Sequence, residues 1–250
     1  IDGAFVNHIQ TLKLAVSSSY ATPPYSYAFT TATPGLPLSW VGTSPGTYTK
    51  KMFIKNEEKA WTLTLGTPGV LTQVTDPDYP AKTVPGAVYL DGYFFVMDAN
   101  GTIYNSGLEA PLAWNSLDFI NCEAEPDGGM AIAKYLNYVV GFGNWTTQFF
   151  YDAANATGSP LAVIQSATIQ IGCANGYSVA QFDGKLVWMG TSHEKGRGVY
   201  ALQGLMSPTK ISTPDVDRIL NADSLATVYS WGAGFAGHSL YVLTLAASGI

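Results

Sequence analysis

The chain has 250 residues, with 12 Lys+Arg against 18 Asp+Glu, a formal net charge of −6 and a pI near 4.9. Only 12% of residues are charged, while 47% are hydrophobic and 13% aromatic, enough apolar material for a large core, which excludes bulk disorder. The basic residues are scattered and only Lys50-Lys51 adjoin, so neither a basic nucleic-acid patch nor tight phosphate binding is expected.

No apolar run approaches the roughly 18 residues that cross a bilayer, and no basic-then-apolar segment follows Ile1, so neither membrane insertion nor a secretion signal is expected. Residues 1–50 are rich in Pro, Ser, Thr and Tyr, as in Tyr20-Ala21-Thr22-Pro23-Pro24-Tyr25. Proline fixes φ and removes a backbone donor, so this region reads as loops and edge strands. It is expected to act as a closing strand or as a display loop ahead of the remaining unit, 51–250, which is expected to be part of a longer chain.

From there the chain reads as all-β. Twenty-six Gly and 14 Pro interrupt helices, and short runs rich in Val, Tyr, Phe and Trp, such as Ala87–Leu90, Tyr93–Met97, Tyr138–Gly141, Leu186–Met189 and Leu240–Leu245, are bounded by turn residues. Three segments share a strand, tight turn, strand pattern: Ala87–Val96, Ala133–Gly141 and Val179–Trp188. Their turn residues Asp91, Asn137 and Asp183 are spaced by 46 and 46. Asp-Gly suits the positive φ of two-residue hairpin turns, and Asn137 can take the same geometry. A third strand follows each hairpin, at Ile103-Tyr104, Phe150-Tyr151 and Val199-Tyr200. A further copy begins at Phe235–Val242, and a weaker one spans Met52–Trp61. A small antiparallel sheet cannot bury both faces alone. A repeat of about 46 residues with about four antiparallel strands therefore predicts the blades of a β-propeller, against the alternative of unrelated hairpins in a sandwich. One short connecting helix is predicted near 214–221, with Thr213 as cap, Pro214 first, Asp215 and Asp217 at its positive end, and Val216, Ile219 and Leu220 on one face.

Chemistry-bearing motifs are missing. There is no Gly-x-Ser-x-Gly elbow, phosphate loop, HExxH or CxxC. Gly141-Phe142-Gly143 reads as a strand end. His8, His193 and His238 stand apart, so no metal and no cofactor is expected. Cys122 and Cys173 read as buried free thiols. Asp76 and Asp78 flank Pro77 in a turn, where Asp bonds its own backbone. Asp118, Glu123, Glu125 and Asp127 form an acidic stretch that reads as a solvated loop between blades; paired carboxylates doing glycosidase work are the alternative. Asn100-Gly101-Thr102, Asn144-Trp145-Thr146 and Asn155-Ala156-Thr157 match the glycosylation triplet, as chance allows in a Thr-rich chain.

An ordered series of segments carries a family resemblance: Gln73-Val74-Thr75-Asp76-Pro77-Asp78-Tyr79-Pro80, Tyr89-Leu90-Asp91-Gly92-Tyr93-Phe94, Ile103-Tyr104-Asn105-Ser106-Gly107-Leu108, Trp114-Asn115-Ser116-Leu117-Asp118-Phe119, Glu123-Ala124-Glu125-Pro126-Asp127, Gly141-Phe142-Gly143-Asn144-Trp145-Thr146-Thr147, Gly172-Cys173-Ala174, Ile211-Ser212-Thr213 and Gly237-His238-Ser239-Leu240-Tyr241-Val242-Leu243. In this order, over about Val74 to Leu245, the chain resembles the tail accessory or packaged-DNA stabilisation proteins, the tail hub or nozzle, of short-tailed bacteriophages.

That resemblance implies a non-enzymatic virion protein, a β-propeller assembled in the bacterial cytoplasm into a homo-oligomeric ring, usually a hexamer. The ring lies below the portal or head-tail adaptor, extends the DNA channel, helps retain the packaged genome without sequence-specific binding, and anchors tail fibres, spikes or the needle. No catalytic residue carries over. An acidic wall without basic patches suits a conduit that does not hold DNA by its phosphates. Trp114, Trp145 and Trp231 are candidates for the ring interface, or else for blade packing. Two rival readings are a carbohydrate-binding or carbohydrate-cleaving propeller, resting on the aromatics and residues 118–127, and a receptor-binding module displaying residues 17–49.

Overall fold

A computed structural model describes residues 11–14, 25–28, 39–42, 51–64, 69–204, 206–235 and 237–245. Strands β1 (Thr11–Leu14) and β2 (Tyr25–Ala28) pair as an antiparallel hairpin. Sheet I then takes β3 (Ser39–Gly42), β4 (Lys51–Lys55), β5 (Ala60–Thr64) and β6 (Val70–Gln73) in chain order. Sheet II is built the same way from β7 (Val88–Leu90), β8 (Tyr93–Met97), β9 (Thr102–Gly107) and the long β10 (Ala110–Asn121). Sheet III follows with β11 (Gly129–Tyr135), β12 (Tyr138–Gly143), β13 (Thr147–Asp152) and β14 (Leu161–Val163). In sheet IV, β15 (Gly172–Cys173) and β16 (Ala180–Phe182) both pair with β17 (Lys185–Ser192), followed by β18 (Gly196–Leu202) and β19 (Pro208–Lys210). Sheet V is the hairpin β20 (Tyr229–Phe235) and β21 (His238–Thr244).

Side-chain alternation explains why central strands such as β8, β12 and β17 are continuously apolar and buried. Successive residues of a strand point to opposite faces, and here both faces are covered. In sheet III, Ala131, Tyr135, Val140, Phe142 and Phe149 join a core with Leu186, Trp188, Tyr200 and Leu202 of sheet IV. Their chain neighbours Ile132, Val139 and Phe150 join a different core with Phe95, Met97 and Ile103 of sheet II. Sheet II divides likewise, with Phe94, Val96 and Trp114 packing on Phe53 of sheet I. In sheet IV, Val187, Met189, Val199 and Ala201 face Tyr241 and Leu243 of sheet V. The five sheets therefore lie side by side in chain order, each interior sheet buried on both faces.

The sheets are not parallel slabs. Packed sheets stand about 10 Å apart, which would separate sheets I and IV widely in a flat stack. Instead the Tyr177 hydroxyl, in a one-turn 3-10 helix (Gly176–Ser178) of sheet IV, bonds the Glu57 carboxylate in the β4–β5 turn. Parts of sheets I to IV meet at this end.

The repeat is one of strand order more than of side-chain role. Asp91-Gly92 and Asp183-Gly184 are two-residue turns with positive φ at both positions (48° and 93°; 50° and 67°), as the sequence predicts. In the second copy the positive φ sits on Leu136 (54°), not on Asn137, because register pairs Tyr135 with Tyr138 and makes Leu136 the first turn residue. The landmark tyrosines occupy third strands, yet Tyr104 is half-buried, Tyr151 is 43% exposed and Tyr200 is 4% exposed. Met52–Trp61 does form a hairpin, but in the middle of sheet I.

The helix α1 (Pro214–Ala222) lies in the connection between sheets IV and V and packs on β18. Thr213 stands at its N-cap without a side-chain cap bond, and its carbonyl accepts from Asp217 N (3.0 Å). Of the expected apolar face only Leu220 is buried; Val216 and Ile219 are 39% and 47% exposed, since one turn of contact is all the flank of β18 offers. Among the described residues no helix is long and apolar enough to cross a membrane.

Candidate functional site

The ends where sheets I to IV meet form the most constrained polar site. Lys55 ends β4 at 1% exposure. Its Nζ donates to Thr83 Oγ1 (3.0 Å) and to Val84 O (2.7 Å), in the segment entering sheet II. Burial pulls the amine down to about 7, with the Glu57 carboxylate opposing. Asn56 Oδ1 accepts from the amides of Glu58 (2.9 Å) and Lys59 (2.7 Å), shaping the turn that presents Glu57. On the opposite side Asn175 Oδ1 accepts from Tyr177 N (2.9 Å), and burial and then the Glu57 contact push the Tyr177 phenol upward. Gly176 approaches Met130 so closely that a Cβ would lie 2.1 Å from its carbonyl oxygen. A cavity of about 290 Å³ opens here, lined by Glu57, Thr83, Pro85, Met130, Gly176 and Tyr177 among others. These bonds engage the Lys55 amine and both rims of the cavity, so the arrangement joins four sheets at one mouth. No sequence motif flagged it: Glu57 and Tyr177 lie 120 residues apart.

The acidic stretch separates into different roles. Asp118 lies on β10, and Glu123 accepts from Asn121 Nδ2 (2.7 Å). Glu123, Glu125 and Asp127 line a cleft between Asn100 and Gly128. Asp127 Oδ2 accepts from Trp145 N (2.7 Å), Thr146 N (2.8 Å) and Thr146 Oγ1 (3.1 Å), fastening the II–III connection to the β12–β13 turn. Bonds to a carboxylate are worth about 1.5–3 kcal/mol. Asp127→Ala is therefore expected to destabilise by about 2–3 kcal/mol, with Asp127→Asn milder, measured by urea denaturation; an unchanged midpoint for the Ala variant would refute this clamp.

Asp76 does bond its own turn, accepting from Asp78 N (3.0 Å), and also reaches across to Trp114 N (3.0 Å). Those amides, Trp114 first, hold its carboxyl below the usual range. Trp114 is 6% exposed, edge-on to Tyr79 with ring centroids 5.0 Å apart, so it is core between sheets I and II. Trp145 is half-buried and stacks on His193 (4.0 Å), tying sheet III to sheet IV. Trp231 is 41% exposed. Cys122 and Cys173 are free thiols, each pushed up to about 12 by burial; Cys122 is half-buried and Cys173 fully so. No group of three or more His, Cys, Asp and Glu gathers as a metal site among the described residues, and His8 lies outside them.

The interior sheets are thus buried on both faces and knitted to one another by backbone-directed polar contacts. Residues 46–249 match the family model of phage stabilisation proteins described as bacteriophage P22 Gp10, beta-propeller. The chain belongs to this family and is a structural component of a bacteriophage virion. No curated protein matches the sequence. Among solved structures, the crystal structure of the computationally designed Ika8 protein is similar at 10% identity and a TM-score of 0.44, over 96% of this chain and 72% of that chain. At that score it bears no weight for the arrangement of the sheets.

Proposed function

We propose that this chain is a tail accessory protein whose sheets are blades of a propeller, assembled as a homo-oligomeric ring below the portal or head-tail adaptor of a short-tailed phage. The ring extends the DNA channel, helps retain the packaged genome, and offers its outer surface to fibres, spikes or the needle. The observation that carries this reading is the family match across 46–249. The packing of successive sheets in chain order and the Glu57–Tyr177 contact between sheets I and IV support the propeller part of it. A net charge of −6 supports a wall along which DNA passes without being held by its phosphates. Asp127 is engaged by backbone amides, which weakens the rival carbohydrate reading of the acidic stretch.

Negative-stain imaging of the purified protein, alone and mixed with portal, tests the proposal. Rings capping the portal are the expected result. Protein that stays monomeric and leaves the portal bare would overturn it.

A further inference from the structure

The last strand of sheet II, β10, has 12 residues against six in its partner β9. Two bulges take up the surplus. Ala110 pairs with Gly107 and Trp114 with Ser106, so 111–113 have no residue opposite. Between Trp114 and Phe119, residues 115–118 stand opposite Asn105 alone. Asn115 Oδ1 accepts from Leu117 N (3.1 Å) and holds the second excursion as a turn. The excursions carry Leu112 and Leu117, 41% and 74% exposed; Phe119 beside them is 42% exposed, its ring 6.2 Å from that of Tyr104. Among the described residues β10 pairs only with β9. Bulges break the row of backbone donors and acceptors along an edge and re-aim its side chains. This edge is therefore shaped to meet a partner by side chains and not to accept an added strand. Its surroundings are acidic: residues 88–128 hold seven Asp+Glu and no Lys or Arg.

A second apolar edge lies at the last strand of sheet IV. Ile211, just after β19, is 51% exposed, and α1 presents Val216 and Ile219. Cations stand around it: Lys210 ends β19, Arg218 lies on α1 and the exposed Lys195 in the β17–β18 turn. Asp217 and Asp215 pair with Lys210 (2.5 Å) and Arg218 (2.9 Å). Residues 172–222 hold five of the chain's 12 basic residues, against four acidic ones.

Symmetry and charge select the occupant. A ring of more than two copies needs two unlike surfaces on every copy, one for each neighbour. The two edges are unlike in this sense, each with an apolar centre, one in acidic surroundings and one flanked by cations. Meeting its own counterpart would set the seven carboxylates of sheet II against seven more, which is repulsive.

We infer that the bulged edge of sheet II in one copy seats on the β19–α1 edge of sheet IV in the next, Leu117 lying against Ile211, Val216 and Ile219, with the sheet II carboxylates facing Lys195 and Arg218. The inference rests on the ring proposed above and names its contact.

The test uses the full chain carrying Leu117→Asp or Ile219→Asp, each a substitution at an exposed side chain, with thermal unfolding to check that the fold is kept. Each variant alone is expected to weaken association of copies at least about thirtyfold and to form no rings. Mixed in equal amounts, the intact sheet II edge of the Ile219→Asp copy meets the intact sheet IV edge of the Leu117→Asp copy. The mixture is expected to give dimers that grow no further, read by sedimentation velocity. In the wild-type chain, carboxyl–amine crosslinking of two isotopically distinct batches is expected to join Asp118 or Glu123 of one copy to Lys195 of another.

Rings in either folded variant, or a mixture without dimers and a wild type without the crosslink, would overturn the inference. Rings that persist while Leu117→Asp loses a fibre or spike protein would also overturn it, assigning the edge to that partner. Wild-type rings on the portal that neither substitution disturbs sink this inference alone. The crosslink in open chains that leave the portal bare sinks the functional proposal alone.

Discussion

Raising the pH from 7 to 8.5 is expected to stabilise the protein by about 1–2 kcal/mol through Lys55 alone. In the folded state burial holds this amine at about 7, against 10.5 ordinarily. Below about pH 7 folding must bury an ammonium, and the penalty is complete. Between about 7 and 10.5 the unfolded chain binds the additional proton, so stability climbs with pH, by at most about 1.4 kcal/mol per unit. The buried thiols act in the opposite sense: raised from 9 to about 12, they make the folded state bind more protons above about pH 9 and erode stability there. A maximum near pH 9 follows. Chemical denaturation at pH 7 and 8.5 reads the slope, and Lys55→Met, which keeps an apolar stem without the ammonium, should flatten it. Equal slopes in both proteins would show that Lys55 is not the titrating group.

Trp188→Ala is expected to cost about 3–5 kcal/mol. The side chain is fully buried between sheets III and IV, 5.3 Å from the Phe142 ring and 6.1 Å from that of Tyr200. Its Nε1 donates to Gly172 O (3.0 Å). Truncation removes the ring, opens a cavity that the pleated sheets cannot collapse into, and orphans a buried carbonyl. Trp188→Phe refills part of the space and should recover part of the loss. Thermal unfolding of both variants is the measurement. A Trp188→Ala loss below about 1 kcal/mol would mean that sheets III and IV are not held by this core.

The Asp91-Gly92 and Asp183-Gly184 turns were readable because positive φ is demanded within two residues of chain, and few residue types meet that demand. Continuous apolar runs such as Tyr138–Gly141 are legible as strands, and β12 extends that run to Gly143. Leu136 was missed because the pairing register, not the residue, chose which position turned left-handed. The Met52–Trp61 hairpin was recognised, but not its place in its sheet.

The sequence by itself determined the repeated hairpins, the two Asp-Gly turns, the helix near 214–221, the acid balance and the family to which the chain belongs. Only the tertiary structure decided that Asp127 clamps backbone amides, that Trp114 is core, that Lys55 is buried beside Thr83 and Val84, and that Glu57 meets Tyr177 across sheets I and IV. The physical reason is range. Turn and strand preferences act over a few neighbouring residues and are written locally. The burial of a charge, or the partner of a carboxylate 120 residues away, depends on how whole sheets stack, and no local pattern encodes it.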